Sequence, residues 1–498
     1  LTRLARKSII TRFGCADAWL FPKRFIVEEF FMRDTRLPSA LSLVLLLSVS
    51  CVAASENSAP AIPDLPQESQ ASIRGANRNM RELPASPTCN PGAAPTEGPW
   101  AQLAQPVATR DQSGLYFGTS VAVSGNVMVI GELYTFTGIG EALVFVRPKT
   151  GDLNNWTQSA VLVPSDGTND DLFASSVAIS GNTIVVGSPP YEACNGCGPG
   201  RAYVYVEPAG GWSGTLTETA ELTASDAITG AAVGSSVSIS SDTVVAGAPG
   251  EMPGAAYVFV KPSSGWVSMT QTAKLTASKG APGNQFGLSV SISDSAIGVG
   301  APYDGIAPPA GAAYVFTEPA GGWTNMTQTA TFTASDPNSS DQFGLAVAVD
   351  GKTFVAGAPY AEAHAARSGA AYVFVEPAGG WKNMTQTAKL TAPDGQQYDA
   401  FGSAVAISMN TVVSGAPQRS PGWRNSQGFP AWWQAGGAYM FTKSDSSWTH
   451  ASVQVLNGSD AHNDDLTGSA VAIDSDVVVA GAPKLGKYLG AAFVFVKH

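Results

Sequence analysis

Small and β-branched residues alternate with polar ones along most of this chain, in runs of four to six bounded by Gly, Pro, Asn and Asp. That period of two predicts short strands rather than helices. The stretch Gln342–Pro359 (QFGLAVAVDGKTFVAGAP) shows the unit: a Phe-Gly pair, a small-residue strand, a tight turn, a β-branched strand and a Gly-Ala-Pro stop. Further copies stand at 117–132, 173–189, 233–249, 286–302, 401–417 and 467–483, making seven in all. A period of roughly 50 to 65 residues repeated this often is the architecture itself.

Each unit reads as four strands, a to d. Strand a follows Phe-Gly (Leu345–Val349), and its small side chains suit a crowded axis. Strand b ends at Gly-Ala-Pro (Thr353–Pro359). Strand c is the Gly-Ala-Ala-Tyr-Val-Phe segment, as at Gly254, Gly311, Gly369 and Gly490, with looser copies at Gly140, Gly200 and Gly436. Strand d follows a Trp and reads Thr-Gln-Thr-Ala-Lys-Leu-Thr-Ala at 385–392, an alternation expected of an outer strand with one wet face.

The leading Trp of strand d occurs at Trp156, Trp212, Trp266, Trp323, Trp381 and Trp448, and once more at Trp100, ahead of the first Phe-Gly. The segment Trp100–Asp111 therefore reads as a d strand without its own a, b and c, while the chain ends just after a strand c. This offset is what a ring closed by its two ends requires, with the N-terminal strand completing the last blade.

Seven units of Phe-Gly, two strands and Gly-Ala-Pro, covering 100–498, resemble the FG-GAP repeats of the integrin α-subunit head and of many bacterial surface proteins. The resemblance implies an all-β fold, a seven-bladed β-propeller of four-stranded blades, used in that family for adhesion or ligand binding and sometimes attached to enzymes. Calcium-binding members carry an Asp-x-Asp-x-Asp-Gly type loop between strands a and b. Here those turns read Ser180-Gly181-Asn182, Ser293-Asp294-Ser295, Asp350-Gly351-Lys352 and Asp474-Ser475-Asp476. Two carboxylates at most do not fill a shell of six to eight oxygens, so no cofactor or metal is assigned.

Composition adds the setting. Charged residues are 13% of the chain, while 53 Gly and 33 Pro supply many turns. The net charge is −11, and residues 55–498 hold 20 bases against 35 acids with no basic stripe, which argues against nucleic acid or an anionic membrane surface as a partner. Residues 1–31 read as an upstream extension translated from too early a start. Residues 32–54 read as a signal peptide: a charged head (Arg33, Arg36), an apolar run (37–49) too short to span a bilayer comfortably, and a small-residue cleavage region. Cleavage after Ala54 would release a soluble protein. Cleavage before Cys51 would leave a thiol for lipid attachment, and Ser48-Val49-Ser50-Cys51 resembles a bacterial lipobox with Ser where Leu is usual. Residues 55–99, rich in Pro, Ser, Ala and Asn, read as a flexible linker.

Candidate chemistry is sparse. The d-to-a loops are acidic at 166–171, 336–341, 394–399 and 460–465; carboxylates there could bind a cation or do acid–base work, but Asp and Asn are also the usual turn formers. Cys194 and Cys197 form a C-x-x-C with no second pair to complete a zinc site, which in an exported chain points to a loop disulfide and leaves Cys89 over. Asn155, Asn325, Asn338, Asn383 and Asn457 lie in N-x-S/T sequons and read as repeat-template residues outside a eukaryotic secretory pathway. His364, His450, His462 and His498 meet no nucleophile elbow, H-E-x-x-H or phosphate loop. The longest b-to-c loop, 418–435, carries Trp423, Phe429, Trp432 and Trp433 outside the repeat pattern, rings that could stack on sugars, anchor a protein partner, or fold over their own blade. The expectation is a monomeric binding or adhesion module for a protein or glycan, secreted or lipid-anchored at the cell surface. An enzyme, or an accessory domain of one acting on extracellular polysaccharide, is the alternative reading.

Overall fold

The computed structural model describes residues 100–107, 116–133, 138–149, 155–168, 171–190, 198–305, 309–420, 435–444, 447–459, 464–485 and 489–497. The chain divides into two units, 1–90 and 91–498, and all described residues belong to the second. Within it seven antiparallel sheets follow one another, each running a-b-c-d from its inner to its outer strand. The fifth blade shows the pattern: Val347–Asp350, Thr353–Ala358, Ala370–Val375 and Ala388–Leu390. Strand a of each blade lies against strand a of the next, and that of the last (Ala470–Asp474) lies against that of the first (Phe117–Ser124), so the ring is closed.

Closure takes the predicted form. Trp100–Ala104 pairs antiparallel with Ala491–Lys497, Trp100 opposite Lys497, as the outer strand of the sheet built from 470–474, 477–482 and 491–497. Val107 continues the pairing as a bridge to Ala491, and 108–111 lie outside the described residues. Phe117 adds a second tie, bridging Gly490.

Strand d differs from its expected form. Instead of running unbroken from Thr385 to Ala392, it splits. Met384–Thr385 pairs parallel with strand d of the preceding blade (Ala330–Thr333), and only Ala388–Leu390 pairs with its own strand c. The same split occurs at Met326–Thr327, Met269–Thr270 and Gly214–Leu216. Four of the seven sheets thus gain a fifth, borrowed strand, where four strands were expected. The break falls where the Thr387 hydroxyl accepts the Val375 N–H (3.1 Å) while the Thr387 N–H goes to the Val373 carbonyl (2.7 Å). These bonds release Gln386 to cross to the neighbouring blade: its Oε1 accepts the Ser335 N–H (2.9 Å) and its Nε2 donates to Ser335 Oγ (2.8 Å). Gln328 clasps Ser278, Gln271 clasps Ser225, and Glu218 takes both donors of Ser165.

Gln102 makes the same clasp with Ser459 across the closure (2.7 and 3.1 Å). This fixes the phase of the first strand. Trp100, two residues before its clasping Gln, stands where Met384 stands before Gln386, and the sequence Asn155-Trp156-Thr157-Gln158 aligns with Asn383-Met384-Thr385-Gln386 in the same way. Trp100 and Trp156 therefore occupy the Met position, three residues on from the repeat Trp. The two side chains exchange because both fill an apolar seam: Trp100 packs against Val413, Met440 and Leu456 of the sixth blade.

The core lies between sheets. Phe332 of the fourth blade stacks on Phe374 of the fifth (4.6 Å) and meets Trp381 (5.4 Å). The Phe of each Phe-Gly pair packs edge-on to the aromatics of its own strand c, as Phe343 does with Tyr372 and Phe374, and Phe401 with Tyr439 and Phe441. Around the axis, strand a has a bare edge. Its backbone donors go to hydroxyls of the preceding blade: Val347, Val349 and Gly351 N–H to Ser289, Ser291 and Ser293 Oγ (2.9–3.1 Å). The turn carboxylates serve likewise, Asp350 accepting from Met409 N–H and Asp474 from Gly125 N–H (2.6 Å).

Deleting 100–107 should remove a buried Trp, a strand and a clasp at once. Truncating a buried Trp alone costs about 3–5 kcal/mol. A ring of about 400 residues loses about 1 °C per kcal/mol, so the deletion variant should melt at least about 4 °C below the intact chain. An unchanged calorimetric transition would contradict the closure.

Candidate functional site

The b-to-c and d-to-a loops meet on one face of the ring. Tyr360 N–H donates to Asp341 O, Gln418 N–H to Asp399 O and Lys484 N–H to Asp465 O, each tying a b-to-c loop to the loop that enters its blade. Tyr398, Ala400 and Phe401 N–H donate to Ala366, Arg367 and Ser368 O, tying the fifth blade's b-to-c loop to the loop that leaves it.

On this face the acidic loops are structural nodes. Their first Asp accepts from the Tyr of the next blade's strand c and pairs with a nearby cation. Asp166 holds Tyr203 (2.7 Å) and Arg201 (2.5 Å), Asp336 holds Tyr372 (3.2 Å) and Lys389 (2.6 Å), and Asp394 holds Tyr439 (2.5 Å) and Arg419 (2.7 Å). Burial would raise the Asp394 pKa, but the bonds from Tyr439 and Arg419 outweigh it and hold the carboxyl below its usual range. Burial likewise works against the Arg419 charge, yet Tyr439 and Asp394 keep the guanidinium more firmly protonated than usual. At two loops the last Asp turns inward as a cap: Asp341 accepts the Asn338 N–H (2.8 Å) and Asp399 the Gln396 N–H (2.7 Å). Burial pushes Asp399 up to about 6. Among the described residues no group of three or more His, Cys, Asp or Glu is placed to hold a metal ion.

Three of the sequons are in use by the fold. Asn325 and Asn383 Oδ1 accept the N–H of Lys274 and Thr331 on the preceding blade (2.8 Å each), and Asn457 Oδ1 accepts from Arg419 (2.9 Å). Of the other residues singled out in the sequence, Trp423, Phe429, Trp432 and Trp433, Cys194 and Cys197, and Cys51 lie outside the described residues. The aromatic insertion is described only at its root, where Gly436 N–H donates to Arg419 O (3.0 Å).

Beside that root the structure gathers residues that the sequence did not single out. Arg367 lies over the rings of both Tyr360 (5.2 Å) and Tyr398 (5.9 Å). Tyr303, from the fourth blade's b-to-c loop, accepts from Gln342 Nε2 (2.9 Å), and its phenol is pushed up by burial and by neighbouring Tyr360. Tyr303 and Tyr398 are exposed for 38% and 47% of their surface, enough for a ligand to lie on them. A sequence signal existed: Tyr303 and Tyr360 each directly follow a Gly-Ala-Pro.

The family model described as FG-GAP repeat matches residues 156–205, 216–259, 269–316, 326–374 and 384–430. Each match starts at or near one blade's strand d and runs on through a and b of the next, so the sequence unit is offset from the blade by one strand, the same offset that closes the ring. No curated protein matches the chain.

Asp399 offers a pH test. Its pKa is raised on folding, so its contribution to stability is full below about pH 4 and is lost as pH rises through about 6. The shift corresponds to about 2–3 kcal/mol, or about 2 °C for a ring of this size. Asp399→Asn should therefore flatten the fall in melting temperature between pH 4 and pH 8 by about that much, whatever its absolute stability. Parallel pH profiles for the two proteins would contradict the assignment.

Proposed function

The chain is an FG-GAP repeat β-propeller, and from that premise we propose that it is an exported binding module that takes a protein or glycan partner on the face bearing the b-to-c and d-to-a loops. The observation that carries the reading is the group Tyr303, Tyr360, Arg367 and Tyr398 on this face, next to the root of the aromatic insertion. Repeat side chains elsewhere are consumed by stitching blade to blade. Tyr360, Arg367 and Tyr398 take no part in the clasps, the strand ladders or the interblade core, and the Tyr303 phenol is tied in only by Gln342. Exposed aromatic rings beside a guanidinium are the usual anchors of a recognition surface.

The rings of the insertion 421–434, whose root at Arg419 and Gly436 lies on this face, are further candidate anchors in this reading. In a binding screen of the full chain against glycan and protein arrays, substituting Trp423, Trp432 or Trp433 by Ala should cost about 1–3 kcal/mol of affinity for the partner found, with little change in melting temperature. Equal losses of stability and affinity would mean that the insertion is packed as structure.

Export is the second part of the reading, supported by the charged head, apolar run and small-residue region of 32–54. Mass spectrometry of the native protein should find a mature chain beginning at Ser55 or at a lipid-modified Cys51, the first giving a secreted protein and the second a tethered one. A mature chain that retains 32–50 would refute export by this route.

A further inference from the structure

We propose that Arg367, held between Tyr360 and Tyr398, reads a carboxylate, and that the ligand is a carboxylate-bearing sugar, a uronic acid unit of a polysaccharide. The inference deepens the proposed binding role and rests on the loop face being the binding face.

The first argument uses the blades as controls for one another. The residue three before the Phe of Phe-Gly, or before its Val and Thr equivalents, has a left-handed backbone in every described copy from the third blade to the seventh: Gly230 (φ 78°), Gly283 (87°), Ser340 (72°), Tyr398 (70°) and Asp464 (65°). Gly, Ser and Asp are small or can bond their own backbone there, whereas a bulky ring at φ 70° is an outlier. The fold asks for a small residue at this position, and the copy that enters the sixth blade carries tyrosine. Arg367 is also left-handed (φ 54°). Two strained residues on two cross-stitched loops meet ring to guanidinium at the surface, a pattern that marks ligand sites.

The second argument is charge. Of the four described arginines, Arg147, Arg201 and Arg419 are ion-paired and Arg367 is in no ion pair among the described residues. In a chain of net charge −11, an exposed arginine left over while carboxylates are in excess is available to an anion from outside. A guanidinium fork matches a carboxylate with two parallel hydrogen bonds.

The third argument separates sugar from peptide. The fork lies over two flat tyrosine rings, and the adjoining loops carry further hydrogen-bonding groups in Gln342, bonded to Tyr303, and His364, which meets Thr391. Ala361, Glu362, Ala363, Ala365, Ala366 and Ser368 make up the rest of the loop, with Glu362 exposed. Nothing there forms the apolar pocket that a protein hot spot fills. A pyranose ring offers a C–H face to the tyrosines, hydroxyls to the polar groups and its carboxylate to Arg367.

Isothermal titration of the full chain tests this with trigalacturonate and trimannuronate, their carboxyl-reduced neutral counterparts, and an Asp/Glu tetrapeptide. Short probes keep long-range repulsion by the acidic body small. At least one uronate should bind at least tenfold tighter than its neutral counterpart. Arg367→Asn, which tolerates the left-handed backbone, should abolish that preference. Tyr398→Gly should weaken binding at least fivefold while the melting temperature holds or rises, since Gly230 and Gly283 show that the fold accepts glycine there. Binding only of the peptide, or uronate affinities within twofold of wild type in both variants, would overturn the proposal. Neutral sugars binding as well as uronates and weakened by Tyr398→Gly would overturn the carboxylate assignment but leave the loop face as the binding face; uronate binding untouched by either variant would remove both.

Discussion

Everything in this ring hangs on one close approach between backbones. The Gly of Gly-Ala-Pro in one blade lies against the carbonyl of the Phe-Gly glycine in the next: Gly247 against Gly287, Gly300 against Gly344, Gly357 against Gly402, Gly415 against Gly468, and, across the closure, Gly481 against Gly118. A Cβ at the first glycine of any of these pairs would fall within 3.0 Å of that carbonyl oxygen, closer than real Cβ contacts come. The second blade shows how strict the demand is, because its Phe-Gly has become Phe173-Ala174, and Ala174 keeps the left-handed backbone (φ 67°) that glycine adopts elsewhere. The two halves of the repeat motif, about 14 residues apart in one blade, thus work between blades. They set how near neighbouring sheets stand, and the aromatic seams, the hydroxyl ladder near the axis and the outer clasps all follow from that spacing.

Polar satisfaction explains much of the rest. A seven-sheet ring leaves seven inner edges and seven outer edges, each a row of unpaired backbone groups. Serines and Asp350 or Asp474 cover donors of the inner edges, and the split strand d covers outer ones with a borrowed parallel strand and a Gln–Ser clasp. Thr-Gln-Thr is therefore read as an inter-blade device rather than as the start of a regular strand.

Periodicity was the legible part of the sequence, because the seven-fold repeat and its one-strand offset at the ends are matters of order along the chain. The Gln–Ser clasp was not legible, since it joins residues some 50 positions apart, and without it the Trp of 100 and 156 could not be told from the repeat Trp. The role of Asp166, Asp336 and Asp394 stayed open between turn former and cation ligand for a similar reason: their partners, tyrosines and cations of the next blade, are distant in sequence. Tyr398 was hidden more deeply. Only backbone dihedrals reveal that the position it shares with Gly230 and Gly283 is left-handed.

The junction of the fifth and sixth blades departs from the common plan, and it does so at the surface proposed to bind. The serine of the clasp is replaced there by Pro393, which has neither hydroxyl nor N–H, and the sixth blade has no Gln to meet it; its strand d is instead one arm of a long hairpin, 438–444 with 447–456. The fifth sheet accordingly has no borrowed strand among the described residues. Arg419 takes over the joint. It pairs with Asp394, reaches Asn457, lies over Tyr439, and holds the root of the aromatic insertion through its carbonyl. A repeated clasp can be lost only where another contact fixes the same spacing, and a guanidinium with three partners does so while leaving the loops on either side free of the repeat pattern. The seam held in this way is flanked by Arg367, Tyr398 and the root of the insertion, where variation in loop sequence does least harm to the ring.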